Sequence, residues 1–225
     1  MTDKQKLEII DLKKEGFTYE HIAKKFNYSI GYIKQVISRY KKDKNLYNED
    51  HRKIKYELNK EFFKEIKPKS ILDLFCGENR FWDSTYGKRC KVISNDSLES
   101  KNAKPDPGMT LKANLLLQAY SSVNYKFDLI DIDPYGSPIS CLENGIKLAK
   151  KGLIVTFGDY KNFKRYSNKY RNHFKVFYNI DLPKEEITIN NLIDYVINLS
   201  KGTLEVWYVA SWKTCDRIYF IKKKE

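Results

Sequence analysis

The sequence predicts an α/β protein: a mostly parallel seven-stranded sheet with a terminal antiparallel hairpin, flanked by helices and preceded by a small all-α module. Three observations predict it. From residue 70 onward, short runs rich in Ile, Leu, Val and Phe alternate with helical stretches and with Gly, Pro and Asp turns. Strands that alternate with helices favour parallel pairing, because a parallel crossover is long enough to carry a helix. Two runs near the end, 204–212 and 217–221, are separated by a short turn and read as a hairpin, which implies one antiparallel strand at the edge of the sheet. Residues 4–40, by contrast, show helical spacing with no strand pattern.

The chain opens with Leu7, Ile10 and Leu12 at helical spacing over 4–14, and Gly16 ends that helix. Thr18 is placed to cap a helix over 19–26 that turns Ile22, Ala23 and Phe26 to one side. Ser29 caps a third over 30–40, with Ile33, Val36 and Ile37 inward. The lines L-K-K-E-G-F-T-Y-E-H-I-A-K-K-F and S-I-G-Y-I-K-Q-V-I-S-R-Y resemble helix-turn-helix modules, with Ala23 as the small residue at the tight crossing. That resemblance implies a third helix in a major groove, with Tyr32, Lys34, Gln35 and Arg39 facing the nucleic acid. Gln and Arg can read base edges, whereas Lys mainly meets phosphate. The alternative is a small bundle used for packing or dimerisation.

The division expected is 1–45 for this module, 46–69 for a charged helical connector and 70–225 for the sheet domain. In the connector Ile54, Leu58, Phe62 and Phe63 recur at helical spacing and Pro68 closes the run. The sheet domain reads as strands over 70–75, 91–94, 109–112, 127–132 and 152–157, then the hairpin. A helix with Ile139, Leu142, Ile146 and Leu148 inward falls between the fourth and fifth strands, and another covers 187–199.

Composition narrows the function classes. The 225 residues carry a net charge of +13, with 42 Lys and Arg against 29 Asp and Glu. That balance favours a polyanion such as nucleic acid, although a lysine-rich composition alone gives the same sign. Seventeen tyrosines interleaved with basic residues suit single-stranded or flipped bases. No apolar run approaches the roughly 20 residues that span a bilayer, and the amino terminus enters a polar helix; a soluble, cytoplasmic protein is expected. Cys76, Cys90, Cys141 and Cys215 are widely spaced without a C-x-x-C pair, so reduced thiols are expected and no metal site. His21, His51 and His173 receive no catalytic role.

Two constellations carry chemistry. The first, I-L-D-L-F-C-G over 71–77, is a buried strand running into a glycine that lets a ligand approach the backbone. Asp96, at the end of the second strand, can bind the two hydroxyls of a ribose. No G-x-G-x-x-G is present, and Glu78-Asn79-Arg80 stands where further glycines would cradle a pyrophosphate. A phosphate-free nucleoside cofactor fits better than a dinucleotide. The second is F-D-L-I-D-I-D-P-Y-G-S-P over 127–138: an apolar strand that stops at Asp133-Pro134-Tyr135-Gly136. Pro134 cannot donate to a ladder and Gly136 permits a sharp turn, so an acid and an aromatic ring stand past a strand's carboxyl end, where open α/β sheets bind ligands. The alternative for Asp131 and Asp133 is a pair of capping carboxylates in a turn.

The first constellation resembles the opening motif of class I S-adenosylmethionine-dependent methyltransferases. The resemblance implies that Asp73, Phe75, Cys76, Gly77, Asn79 and Arg80 lie by the methionine half of S-adenosyl-L-methionine, with Asp131 also on the cofactor side. It places Asp96 at the ribose and Ala113-Asn114, after the third strand, at the adenine. The second resembles the D/N-P-P-Y/F corner of methyltransferases acting on exocyclic amines, which implies that the Asp133 side chain and the Pro134 carbonyl accept hydrogen bonds from the amine while Tyr135 stacks on the base. Cytosine-C5 enzymes carry a Pro-Cys pair there, and this chain has none. D-P-Y-G-S-P followed by G-L-I-V-T-F-G-D-Y is also similar to tRNA guanine-N2 dimethyltransferases. The expected activity is N-methylation of a nucleic-acid base, DNA favoured over tRNA. A DNA-binding regulator with a degenerate methyltransferase fold is the non-enzymatic alternative.

Overall fold

The structure is a computed structural model that describes the chain outside residues 1–2, 15–16, 44–45, 78–79, 96–106, 135, 160, 162–172, 184–185 and 224–225, and outside the side chains of 3–4, 6–7, 14, 38–50, 107–111 and 173. Of the residues singled out in the sequence, Gly16, Glu78, Asn79, Asp96 and Tyr135 lie outside the described residues, as does the Arg39 side chain. The chain divides into two compact units, Met1–Leu58 and Asn59–Glu225.

The first unit holds α1 (Asp3–Lys14), α2 (Tyr19–Phe26) and α3 (Ile30–Asp43). Its core is Ile9, Ile22, Ala23, Ile33, Val36 and Ile37; α2 and α3 supply the expected positions, whereas α1 supplies Ile9, with Leu12 packed against it. Thr18 caps α2, accepting from the His21 amide at 3.2 Å, and Ser29 accepts from the Tyr32 amide at 3.1 Å at the start of α3. Asn27 closes α2 in the left-handed region with φ of 54°, a conformation Asn tolerates better than most residues. The division between units falls inside the next helix, α4 (Leu46–Ile66).

The second unit is a six-stranded sheet in the order β2-β1-β3-β4-β6-β5. Its strands are β1 (Ser70–Leu74), β2 (Lys91–Asn95), β3 (Phe127–Ile132), β4 (Ala149–Phe157), β5 (Leu204–Ser211) and β6 (Asp216–Lys222). The first four are parallel, and β6 is antiparallel to both β4 and β5. The helices described in full after the end of α4 are α5 (Phe81–Tyr86), α6 (Pro107–Ser122), α7 (Ile139–Leu148), α8 (His173–Tyr178) and α9 (Ile189–Leu199). Among the described residues no helix is long and apolar enough to cross a membrane.

Two expectations are corrected. Residues 109–112 form no strand; they lie in α6, so the sheet has six strands where seven were expected. Pro107 suits a first helical position, and Met, Leu, Ala and Gln sustain the helix, while Ala113 and Leu117 stack one turn apart in the core. The hairpin does not add its antiparallel strand at the edge: β6 enters between β4 and β5. Burial explains the order. Ile218, Tyr219 and Phe220 are wholly buried, whereas β5 leaves Val206 and Tyr208 exposed, so the more continuously apolar strand takes the inner place.

The two faces of the sheet differ. Leu72, Leu74, Ile130, Ile132, Leu153, Val155, Ile218 and Phe220 form an apolar core with residues of α6, α7, α8 and α9. Gly145 brings α7 close to β3: a Cβ there would stand 2.7 Å from Ile132 Cδ1. The opposite face presents Asp73, Asp131, Thr156, Arg217 and Tyr219, all deeply buried apart from water. The end of α4 closes it, with the Phe62 ring 5.3 Å from Tyr219 and 5.1 Å from Trp207.

Candidate active site

Parallel pairing sends β1, β3 and β4 to the same edge of the sheet with their carboxyl ends together, Leu74 beside Ile132 and Ile132 beside Val155. Because β6 runs the other way, its amino end meets that same edge, with Asp216 beside Phe157 and Arg217 beside Thr156. The D-P-Y-G-S-P corner therefore meets the start of the last strand, about eighty residues on.

The loop after β1 is built from unusual backbone. Phe75 and Gly77 have φ of 66° and 64°, and Arg80 has φ of 38° just before α5. For Phe75 and Arg80, which carry a Cβ, the left-handed region costs energy, and such residues concentrate at functional loops. The Phe75 and Cys76 amides point to the Asn95 carbonyl at 2.8 and 3.4 Å, tying this loop to the end of β2. These two amides are engaged within the protein, and the turn that follows Gly77 includes Glu78 and Asn79, which lie outside the described residues.

Asp73 sits inside β1, 4% exposed, paired in register with Asp131 of β3. Asp131 lies in the strand and not in a turn. Its Oδ2 accepts from Trp82 Nε1 at 2.7 Å and from Arg217 Nη2 at 2.5 Å, while its Oδ1 has no partner among the described residues. Arg217 is fully buried. Its Nη2 also donates to Asn59 Oδ1 at 3.3 Å, its Nη1 to Thr156 Oγ1 at 2.7 Å and its Nε to the Tyr219 hydroxyl at 3.2 Å. Tyr219 in turn donates to Asn59 Oδ1 at 2.9 Å. The same Nη1 lies 3.4 Å from Asp133 Oδ1. Burial works against the guanidinium charge, but Asp131, Tyr219 and Asp133 outweigh it and hold the Arg217 pKa above its ordinary value.

Asp133 is the member of this web that reaches the edge: its side chain is 21% exposed, against 3% for Asp131. Its amide donates to the Leu74 carbonyl at 3.3 Å, so the corner after β3 is tied to the first constellation. Cys215, in the hairpin turn, is its neighbour. Burial raises the thiol pKa, and the Asp133 carboxylate raises it further. The other half of the corner is fixed by Tyr178. Its hydroxyl donates to Asp159 Oδ2 at 2.7 Å and lies 2.9 Å from Ser137 Oγ, while the Gly158 amide donates to the Gly136 carbonyl at 3.2 Å. Burial, then Asp159, pushes the Tyr178 pKa well above its ordinary value.

Ala113 and Asn114, expected past a strand end, lie within α6. Ala113 is buried in the core and Asn114 accepts a long bond of 3.5 Å from Asn144 Nδ2. Arg217, Tyr178, Trp82 and Asn59 were not singled out from the sequence. One signal was there to be found: Asp131 inside one apolar run and Arg217 at the head of another each need a partner once buried. In the helical unit Tyr32, Lys34 and Gln35 are exposed on α3, with the Tyr28 and Tyr32 rings 5.0 Å apart and Lys34 Nζ 5.5 Å from the Tyr19 ring.

Burial pushes the Tyr219 hydroxyl up to about 12. The folded protein thus keeps a proton that the unfolded chain releases near pH 10, so stability falls as pH rises from about 10 to about 12. That interval corresponds to about 3 kcal/mol. Urea midpoints for Tyr219→Phe are expected to fall less steeply than wild type across it.

Comparison with known proteins agrees with both halves. Residues 5–53 match the family described as helix-turn-helix domain. No curated protein sequence matches the chain. The solved structure of Trm1 from Pyrococcus horikoshii in complex with S-adenosyl-L-methionine is similar over 72% of this chain, with a TM-score of 0.52 and 17% identity. This is a class I methyltransferase fold. The matched region covers 52% of that protein, so the chain spans about half its length. The plantazolicin methyltransferase BamL, solved with SAH, aligns over 98% of this chain and 97% of its own, with a TM-score of 0.47 and 13% identity.

Proposed function

We propose that the chain is an S-adenosyl-L-methionine-dependent nucleic-acid methyltransferase that acts on an exocyclic amino nitrogen of a base, with DNA the favoured substrate. The observation that carries this reading is Asp133: a partly exposed carboxylate at the carboxyl end of β3, backed by a buried arginine and tied to the end of β1. The cofactor fits the loop after β1 on chemical grounds. The Phe75 and Cys76 amides already donate to the Asn95 carbonyl, and a nucleoside sulfonium carries no phosphate that would need them. Phe75, Cys76, Gly77 and Arg80 would hold it, with Asp73 behind them. Bound there, S-adenosyl-L-methionine would supply a methyl group activated by its sulfonium.

The work of the chain's own residues is orientation. An aromatic amine has its lone pair delocalised into the ring. Hydrogen bonds from the amine to the Asp133 carboxylate and the Pro134 carbonyl would localise that pair and point it at the methyl carbon. Transfer would form an N–C bond and leave the electron pair of the broken C–S bond on sulfur, and the surplus proton of the amine would leave to water. No covalent nucleophile is required. The decisive experiment incubates the protein and methyl-labelled cofactor with duplex DNA and with bulk tRNA, followed by mass spectrometry of the nucleosides. An N-methylated base from DNA is the expected result, and label in neither pool supports the regulator.

A second reading, a tRNA guanine-N2 methyltransferase, has its own observation. The structure joins the two parts of the D-P-Y-G-S-P and G-L-I-V-T-F-G-D resemblance through the Gly158–Gly136 hydrogen bond and through Tyr178 between Ser137 and Asp159. Label in tRNA alone would replace the DNA reading with this one. The basic helix-turn-helix unit and the charge of +13 support nucleic acid in either case, and a cytoplasmic location belongs with them. Lys34 is expected to act through phosphate. Lys34→Ala should weaken duplex binding to about the same extent for every sequence tested, and should reduce the slope of log K against log salt by about 1.

A further inference from the structure

We propose that Arg217 is a positioning residue for Asp133, so that the buried arginine of the last strand decides whether the corner can receive an amine. This rests on the methyltransferase reading for its kinetic part only. A guanidinium has five N–H donors in a rigid plane. Four hydrogen bonds leave Arg217, to Asp131, Asn59, Thr156 and Tyr219. These partners come from β3, α4, β4 and β6, so the plane is fixed from several sides of the buried layer. With that plane fixed, Nη1 stands 3.4 Å from Asp133 Oδ1. The contact favours the ionised carboxylate, which only accepts hydrogen bonds, and fixes one of its oxygens. An ionised acceptor at the edge suits a donor such as an amine and disfavours an acceptor such as a carbonyl or ring nitrogen.

The geometry also separates this role from that of Asp131. Asp131 lies in β3 and Asp133 just past its end, and both face one guanidinium, but Asp131 meets Nη2 in the interior and Asp133 meets Nη1 at the rim. Asp131 fixes the arginine, and the arginine fixes Asp133. A lysine could not make both contacts while also reaching Thr156, Asn59 and Tyr219, because it has one nitrogen where the arginine has three.

Two measurements test this. The first needs no activity. In nitrogen-15 NMR of the arginine side chains, Asp133→Ala is expected to shift the Nη1 signals of Arg217 while the Nη2 signals facing Asp131 stay in place. Unchanged Nη1 signals would overturn the proposal, and would do so whatever the reaction proves to be. The second uses Arg217→Met combined with Asp131→Asn, which removes the buried charges together and leaves Trp82 an acceptor. Single-turnover methyl transfer at saturating S-adenosyl-L-methionine is expected to fall about 10- to 100-fold. A wild-type rate in the folded double variant would mean that Arg217 only stabilises the fold. If wild-type protein transfers no methyl group to DNA or tRNA, the reaction reading fails, and the NMR result still decides the contact.

Discussion

Arg217→Met alone is expected to cost about 3–5 kcal/mol of stability in urea unfolding, the usual consequence of removing one partner from a buried ion pair. The size follows from what is left behind. Asp131 is 2% exposed, and without the guanidinium its carboxylate retains one hydrogen bond, from Trp82. Thr156 loses the donor that Nη1 provides. Adding Asp131→Asn removes the stranded charge, keeps an acceptor for the Trp82 indole and should recover most of the loss. A single variant as stable as wild type would show that the web contributes nothing to the folded state. A double variant no better than the single would place the cost in lost packing around the arginine stem instead.

The second large effect is catalytic. Asp133→Ala is expected to reduce methyl transfer by at least about 100-fold, comparable to removing one preorganised hydrogen-bonding group from a reaction centre. Affinity for S-adenosyl-L-methionine should change less than about tenfold, because Asp133 is assigned to the substrate. Stability should change little: the side chain is at the rim, and Arg217 keeps its four interior hydrogen bonds. Loss of cofactor binding in this variant would move Asp133 to the cofactor side of the corner. Retained methyl transfer would remove it from the reaction altogether.

The legible parts of the chain were those governed by local pattern. Helix α2 and strand β3 lie where periodicity and apolar run put them, because capping at Thr18 and the break at Pro134 act within a few residues. The region 109–112 was misread because a few apolar residues do not distinguish a buried strand from a buried helix. Only the longer run through Ser122, begun by Pro107, settles it as α6. Helix α5 was not anticipated, since Phe81, Trp82 and Tyr86 are a short aromatic group with no capping side chain to announce them.

Residue order alone settled the two-part organisation of helical module and α/β sheet, and it placed Asp73, Phe75-Cys76-Gly77 and Asp133-Pro134 at strands and strand ends. Those are short-range matters of spacing, propensity and chain breaking. Tertiary structure decided which side chains complete the corner. Arg217 is 84 residues from Asp133 in the chain, yet an antiparallel β6 inserted beside β4 brings its amino end to the carboxyl edge of the parallel strands. Tyr178 reaches Ser137 and Asp159 in the same non-local way. The physical reason is burial. A charge excluded from water must find its opposite across the sheet, and which strand supplies it depends on strand order, which no local pattern encodes.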